Sequence, residues 1–425
     1  MMNNLTYQQS ETNSQKVPFP ILVLLFCMVF DEVLSWSFYS AEDDRTIVYA
    51  FRFVLSLAYS IYILFLNNCF TRRLLPLEKM IYLFILWTFF SMAIVTPGNI
   101  LALRELSRFI YWGFAFPFVY LVVLRYPRAI QYICFFFALS AVFFLFVTIS
   151  GREAMIDRRS SRGASGINSS YCLVFAYPWL LMYRSKWIKY LGLLIVCGGV
   201  IISYKRGAVL TLFMAICMTG LSGFLFYQGK QRLYWVIKCI FIVIIASLFI
   251  IYLFRNLYHL KAGYEYRMDA EQGSFSGRRE IWEHLYYRFS TSSYFNYICG
   301  NGLLTTVKET GLRAHNDWFE ILYCLGIIGL VIFILCNCHI FVVLYQLFKR
   351  KMELFIPCVA GYVVFFFKSV SGGWTHYTSF AYFLSLIAVA CAMYERDCLA
   401  GLTDEQVTRQ HTEVEISTGQ VRERP

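Results

Sequence analysis

The sequence predicts an all-α polytopic integral membrane protein of about twelve transmembrane helices, with one long external loop before the last three spans. Three observations carry that prediction. Of the 425 residues, 59% are hydrophobic and 19% aromatic, while only 15% are charged; a soluble chain of this length has no use for so much apolar surface. Apolar runs recur that can each cross about 30 Å of hydrocarbon. Most basic residues stand in short clusters between those runs, where topology signals belong, so the net charge of +12 does not point to nucleic acid.

The polar start, 1–17, reads as a cytoplasmic tail. It precedes a run that lacks a small-residue cleavage site and so reads as a retained first span. Spans are expected at roughly 18–38, 47–68, 79–96, 107–124 and 129–149, then at 167–183, 187–203, 206–228 and 232–254. This bundle of about nine spans covers 18–254. A long polar stretch, 255–316, follows. The last three spans fall at roughly 317–347, 353–370 and 375–394, and 395–425 is a charged tail expected to be mobile.

Orientation follows from basic residues in alternate short connections: Arg72, Arg73 and Lys79; Arg125 and Arg128; Arg184, Lys186 and Lys189; Lys230 and Arg232; Lys349, Arg350 and Lys351. The first intervening loop is acidic, with Glu42, Asp43 and Asp44. Both termini are therefore expected in the cytoplasm and 255–316 outside.

That orientation exposes an anomaly. The external side carries Arg152, Arg158, Arg159 and Arg162 in "GREAMIDRRSSRGASG", Lys205 and Arg206 in "SYKRGAV", and Arg267, Arg278, Arg279 and later Arg313 in the long loop. Arginine there opposes the topology signal. A bound polyanion explains it economically, because guanidinium forks match phosphate oxygens and stay charged at any working pH. Single arginines solvated among headgroups are the plainer account of each, but not of the set.

Inside the spans, Asp31 and Glu32 lie at a depth similar to Arg52, which leads to the expectation of an Arg52–carboxylate pair. Lys368, near an outer helix end, is expected to snorkel. The 14 cysteines are scattered mainly in apolar runs as small hydrophobes and make neither a metal motif nor a disulfide framework.

One stretch stands apart: "GLRAHNDWFEILYCLGIIGL", 311–330. Asp317 and Glu320 have capping-box spacing, Trp318 suits an interfacial aromatic belt, and Gly326 and Gly329 would admit another helix closely. A capped helix entering the bilayer from outside accounts for all of this except His315.

His-Asn followed by an aromatic, acidic helix start and Gly-x-x-Gly resembles the signature of the O-antigen ligase and polymerase superfamily. "SGRREIWEHLYYRF" followed by "YICGNGL" is similar to that family's external-loop segment, and "ISYKRGAVL" resembles its Ser/Thr-x-x-Arg turn. The resemblance covers about 160–345. Its departures are a rather short external loop and Lys205 beside Arg206. It implies a metal-independent, cofactor-free glycan transferase, multi-pass in the bacterial cytoplasmic (inner) membrane with its site facing the periplasm. The donor would be an undecaprenyl-pyrophosphate-linked glycan. By that resemblance Arg206 and Arg278 hold the pyrophosphate and His315 acts on the acceptor hydroxyl. Arg158, Arg159 and Arg162 would add to the basic pocket, with Asn316, Lys205 and Arg313 in support.

The residues fit that chemistry. The chain has no Gly-rich phosphate loop and no convincing DxD motif, Asp43–Asp44 being the nearest, so the energy must arrive with the donor. Arginines can neutralise charge on its leaving group, and a neutral imidazole can accept the acceptor's proton. The favoured acceptor is a second lipid-linked repeat, which makes the enzyme a polymerase. The alternative is a ligase transferring the finished chain to lipid A–core or to protein. From another class, a lipid-linked oligosaccharide flippase also fits twelve spans, but it should carry mid-membrane charges and related halves.

Overall fold

The computed structural model describes residues 16–37, 45–67, 74–97, 100–156, 169–240, 278–311, 314–371 and 379–417. Every regular element among them is a helix. In chain order these are α1 (Phe19–Ser37), α2 (Arg45–Asn67), α3 (Pro76–Val95), α4 (Ile100–Arg125), α5 (Ala129–Ile156), α6 (Ser170–Met182), α7 (Lys186–Ile202) and α8 (Arg206–Phe226). Residues 229–240 are helical as well. Then come α9 (Arg278–Ser290), α10 (Tyr294–Cys299), α11 (Thr305–Thr310), α12 (Asp317–Lys349), α13 (Phe355–Ser371) and α14 (Ser379–Ser417).

Five stretches among the described residues are long and apolar enough to cross a membrane: Pro76–Val95, Glu105–Arg125, Ala129–Ser150, Arg206–Phe226 and Asp317–Lys349. Shorter apolar stretches occupy Phe19–Asp31, Val48–Leu64, Ser170–Met182 and Phe355–Val370. The outer faces of the helices are apolar too: Phe53, Leu86, Phe146 and Phe213 are each more than half exposed. Such a surface suits lipid rather than water. The chain is thus an all-α, membrane-embedded protein.

The centre is α4, which packs against α2, α3 and α14. Its Tyr111, Trp112, Phe116 and Phe118 are all buried, and the Trp112 ring meets Phe380 of α14 edge-on at 4.8 Å. Around it α5, α6 and α7 pack on one another, α13 lies against α6 and α8, and α12 lies against α3. Buried hydroxyls bond to their own helices, as Thr88 does to the Phe84 carbonyl at 2.7 Å and Thr219 to Ala215 at 2.7 Å. That is how a polar side chain is tolerated where water is absent.

The pairing expected within the first two spans is present. Arg52 Nε donates to both oxygens of Asp31 at 3.0 Å, and the two side chains are 1% and 0% exposed. The Glu32 side chain lies outside the described residues.

Helix α12 differs from expectation. A continuous helix of 33 residues would be about 50 Å long, more than a bilayer's hydrocarbon needs. At Gly326 the backbone leaves the helical region, with φ 69° and ψ −172°. The break frees carbonyls that must find partners elsewhere. Tyr323 accepts from the Asn301 amide at 3.0 Å and Cys324 from the Gly302 amide at 2.9 Å. Leu325 accepts from the Trp87 indole at 2.9 Å. What approaches Gly326 closely is the C-terminal end of another helix, the short α10, together with the turn that follows it. A Cβ on Gly326 would collide with the Ile298 carbonyl oxygen, and one on Gly300 with that of Cys324. Gly329 faces Trp87 of α3, again a neighbouring helix.

Within the polar stretch 255–316, residues 278–311 form three short helices, α9 to α11, with brief turns between them. From 395 onward the charged tail prolongs α14 as helix to Ser417.

Candidate functional site

The local sequence around His315 builds a tight, anchored corner. Gly311 ends α11 in the left-handed region at φ 71°. Ala314 is fully buried, and its carbonyl accepts from Trp282 Nε1 at 2.5 Å. His315 has φ 54°, a region costly for a side-chain-bearing residue and tolerated only where the surroundings hold it. The cap of α12 is Asn316, not Asp317: its Oδ1 accepts from the Phe319 amide at 3.2 Å, the usual role of Asn at that position. Asp317 is displaced to the first helical position and is buried. Glu320 does not reach back to the cap; its Oε1 accepts from Thr306 Oγ1 at 3.3 Å. That ties α11 to α12.

Trp318 is half-buried against α13. Its indole N–H donates to Ser369 Oγ at 2.9 Å, and its ring meets Phe333 edge-on at 4.8 Å. Beside Ser369, Lys368 is only 4% exposed, so it does not snorkel. Its ammonium lies 3.8 Å from the Tyr171 ring centroid. Tyr171 in turn presses against the start of α8, where a Cβ on Gly207 would collide with its hydroxyl.

Arg206 is the first residue of α8 and is exposed. The turn before it is tight. Ser203 Oγ donates to the Val200 carbonyl at 2.7 Å and accepts from the Lys205 amide at 3.1 Å, and Tyr204 is left-handed at φ 56°. The turn presents Lys205 and Arg206 in succession.

Arg278 opens α9. The helical i, i+4 relation puts it on the face of Trp282, whose indole holds the residue before His315. Arg279 points away, 76% exposed and bonded to Glu283 at 2.7 Å.

Tyr171 thus touches both the start of α8 and Lys368 of α13, and the next residue of α13, Ser369, is bonded to Trp318 in the first turn of α12. Trp282 joins Arg278's helix to the corner bearing His315. Arg158, Arg159, Arg162, Arg267 and Arg313 lie outside the described residues. The contacts of Tyr171, Lys368 and Ser369 are not foreseen from the sequence; the available signal is a lysine interrupting the apolar run "VVFFFKSVS". Compared with known proteins, the chain matches no protein-family model and no curated protein.

Proposed function

We propose that this protein is a glycan transferase of the O-antigen polymerase and ligase type, acting at the periplasmic face of a bacterial cytoplasmic membrane. In this reading the chain makes about twelve crossings, both termini are cytoplasmic, and the end of the bundle that bears Arg206 and His315 faces out. The observation that carries it is the hydrogen bond from Trp282, on the helix that Arg278 opens, to the carbonyl of Ala314 beside His315.

The chemistry follows from those groups. An undecaprenyl-pyrophosphate-linked glycan enters with its lipid among the helices and its pyrophosphate against Arg206 and Arg278. The acceptor hydroxyl approaches from the aqueous side. Its oxygen forms the new bond to the donor's anomeric carbon as the bond from that carbon to the phosphate oxygen breaks. The hydroxyl proton passes to an imidazole nitrogen of His315, and the electron pair of the broken bond leaves on the pyrophosphate. Guanidinium groups fixed beforehand stabilise that charge without reorganising, and general-base assistance adds about 10²–10⁴-fold. No metal or cofactor enters the scheme.

Of the two acceptors, a second lipid-linked repeat is preferred. The test is transfer by purified protein from a lipid-linked donor to either a lipid-linked repeat or lipid A–core. A ladder of lengthening lipid-linked glycan is the expected result. Conjugates to lipid A–core alone would make the protein a ligase, and no transfer to any acceptor, protein included, would overturn the reading.

A further inference from the structure

We infer that the groove between α1 and α5 is a binding site for one anionic phospholipid, with an acyl chain in the groove and the phosphate at its basic rim. The groove lies near the start of α7, whereas Arg206 follows the end of that helix. It therefore stands apart from the proposed transferase site and does not depend on that reading.

The groove is built for a chain. α1 supplies Phe19, Val23 and Phe26, α5 supplies Gln131, Tyr132 and Phe135, and Tyr183 after α6 completes the lining of about 530 Å³. The α1 residues have i, i+4, i+7 spacing, so they form one stripe and the groove follows the helix for about 10 Å. Phe19 is 76% exposed, and Val23, Phe26, Tyr132 and Phe135 are between 38% and 43% exposed. Deeper in, Phe26 stacks on Phe30 at 4.1 Å and meets Phe136 edge-on at 5.4 Å, so rings from both helices close that end. A hydrocarbon chain running with the spans fits such a channel.

The other end says which lipid. Phe19 opens α1, Gln131 lies in the first turn of α5, and Tyr183 ends α6, so three connections meet there. Each carries a cation: Lys16 before α1, Arg128 before α5 and Arg184 after Tyr183. All three are exposed, and none makes an ion pair among the described residues. The Arg184 backbone amide donates to Gln131 Oε1 at 2.9 Å, and the Gln131 amide donates to the Arg128 carbonyl at 3.1 Å. A groove-lining residue thus ties the two arginine-bearing turns together. The surrounding segments 16–30, 125–136 and 180–190 contain no Asp or Glu. A phosphodiester matches guanidinium groups in charge and geometry, and basic pockets between membrane helices select anionic headgroups. A zwitterionic headgroup would bring its own ammonium against the same cations.

The experiment places full-length protein in nanodiscs of phosphatidylcholine and phosphatidylglycerol, releases it into detergent and counts retained lipid by native mass spectrometry. Thermal unfolding of each variant is recorded. Wild type should retain one phosphatidylglycerol, preferred over phosphatidylcholine about tenfold or more, each nearby cation contributing about fivefold. Arg128→Gln with Arg184→Gln should retain the two lipids alike. Val23→Trp fills the groove without altering charge and should retain neither. Lys230→Gln, an exposed lysine in another turn, should match wild type. If Val23→Trp does not fold, phosphatidylglycerol with a photoreactive acyl chain takes its place, and adducts in α1 or α5 of wild type are expected. Adducts only elsewhere would overturn the inference. So would equal retention of both lipids by wild type, or wild-type retention by folded Val23→Trp. A loss in Lys230→Gln as large as in the double arginine variant would also overturn it, because the preference would then report overall charge. A dimer that Val23→Trp dissociates would give the groove to a second copy of the chain instead.

Discussion

The indole N–H of Trp282 donates to the Ala314 carbonyl at 2.5 Å, joining the helix that begins at Arg278 to the residue before His315. A cation and a base proposed to act on one substrate are thereby held by a single side chain. Trp282→Phe keeps most of the ring packing and removes that donor, worth about 1 kcal/mol. Transfer should fall about tenfold, because a small misplacement of reacting groups is costly, while the melting temperature moves little. Transfer rates and thermal unfolding of the purified variant check this.

The junction of Gly300 and Gly326 should be the least tolerant point outside the site. An added methyl at either meets backbone, not a side chain that can move aside, and Gly326 has φ 69°. Gly326→Ala should cost at least about 2 kcal/mol from conformation alone and should disable transfer, because the loop docked there leads directly into the His315 corner. Gly311→Ala has open space around it, so only its left-handed φ of 71° is penalised, about 1–2 kcal/mol. Unfolding in detergent and transfer by the two variants should separate them.

The Asp31–Arg52 pair should govern stability and not chemistry. Removing one partner leaves a charge in a dry interior and costs about 3–5 kcal/mol. Asp31→Leu should therefore be strongly destabilised, and Asp31→Leu with Arg52→Leu should be more stable than the single variant. Transfer per folded molecule should stay near wild type. A double variant less stable than Asp31→Leu would contradict this.

These features are unequally legible in the sequence. The apolar runs and the matched depths of Asp31 and Arg52 can be read directly, since hydrocarbon thickness and the cost of unpaired charge act locally. The break at Gly326 cannot. A glycine inside an apolar helix looks the same whether it kinks or packs, and what decides it is the backbone at the end of α10, more than twenty residues away. The cap falls one residue early for a related reason: Asn and Asp cap about equally well, so Asn316 and Asp317 are indistinguishable by type. Lys368 reads as a snorkelling residue because its burial depends on Tyr171, far away in sequence, and not on its own helix.

Among the arginines proposed to bind the donor, geometry ranks the effects. Arg206→Lys keeps the charge but loses the planar fork, so transfer should drop about tenfold or more with membrane insertion unchanged. Arg278 should behave likewise. Arg279 is exposed and bonded to Glu283, so Arg279→Ala should transfer like wild type. Single substitutions at Arg158, Arg159 or Arg162 should have smaller effects, because neighbours share the charge. Surface polysaccharide made by complemented cells, alongside protein level in the membrane, checks the ranking.

The central claim is that His315 performs proton transfer at a pocket whose binding is done by cations. Asn316 caps α12, so Asn316→Ala should cost only about 1 kcal/mol and leave measurable transfer. His315→Ala is the decisive variant. Purified and folded, it should lose about 10²–10⁴-fold in glycan transfer and bind undecaprenyl pyrophosphate with wild-type affinity. Transfer at the wild-type rate, or a loss of affinity as large as the loss of transfer, would contradict the account.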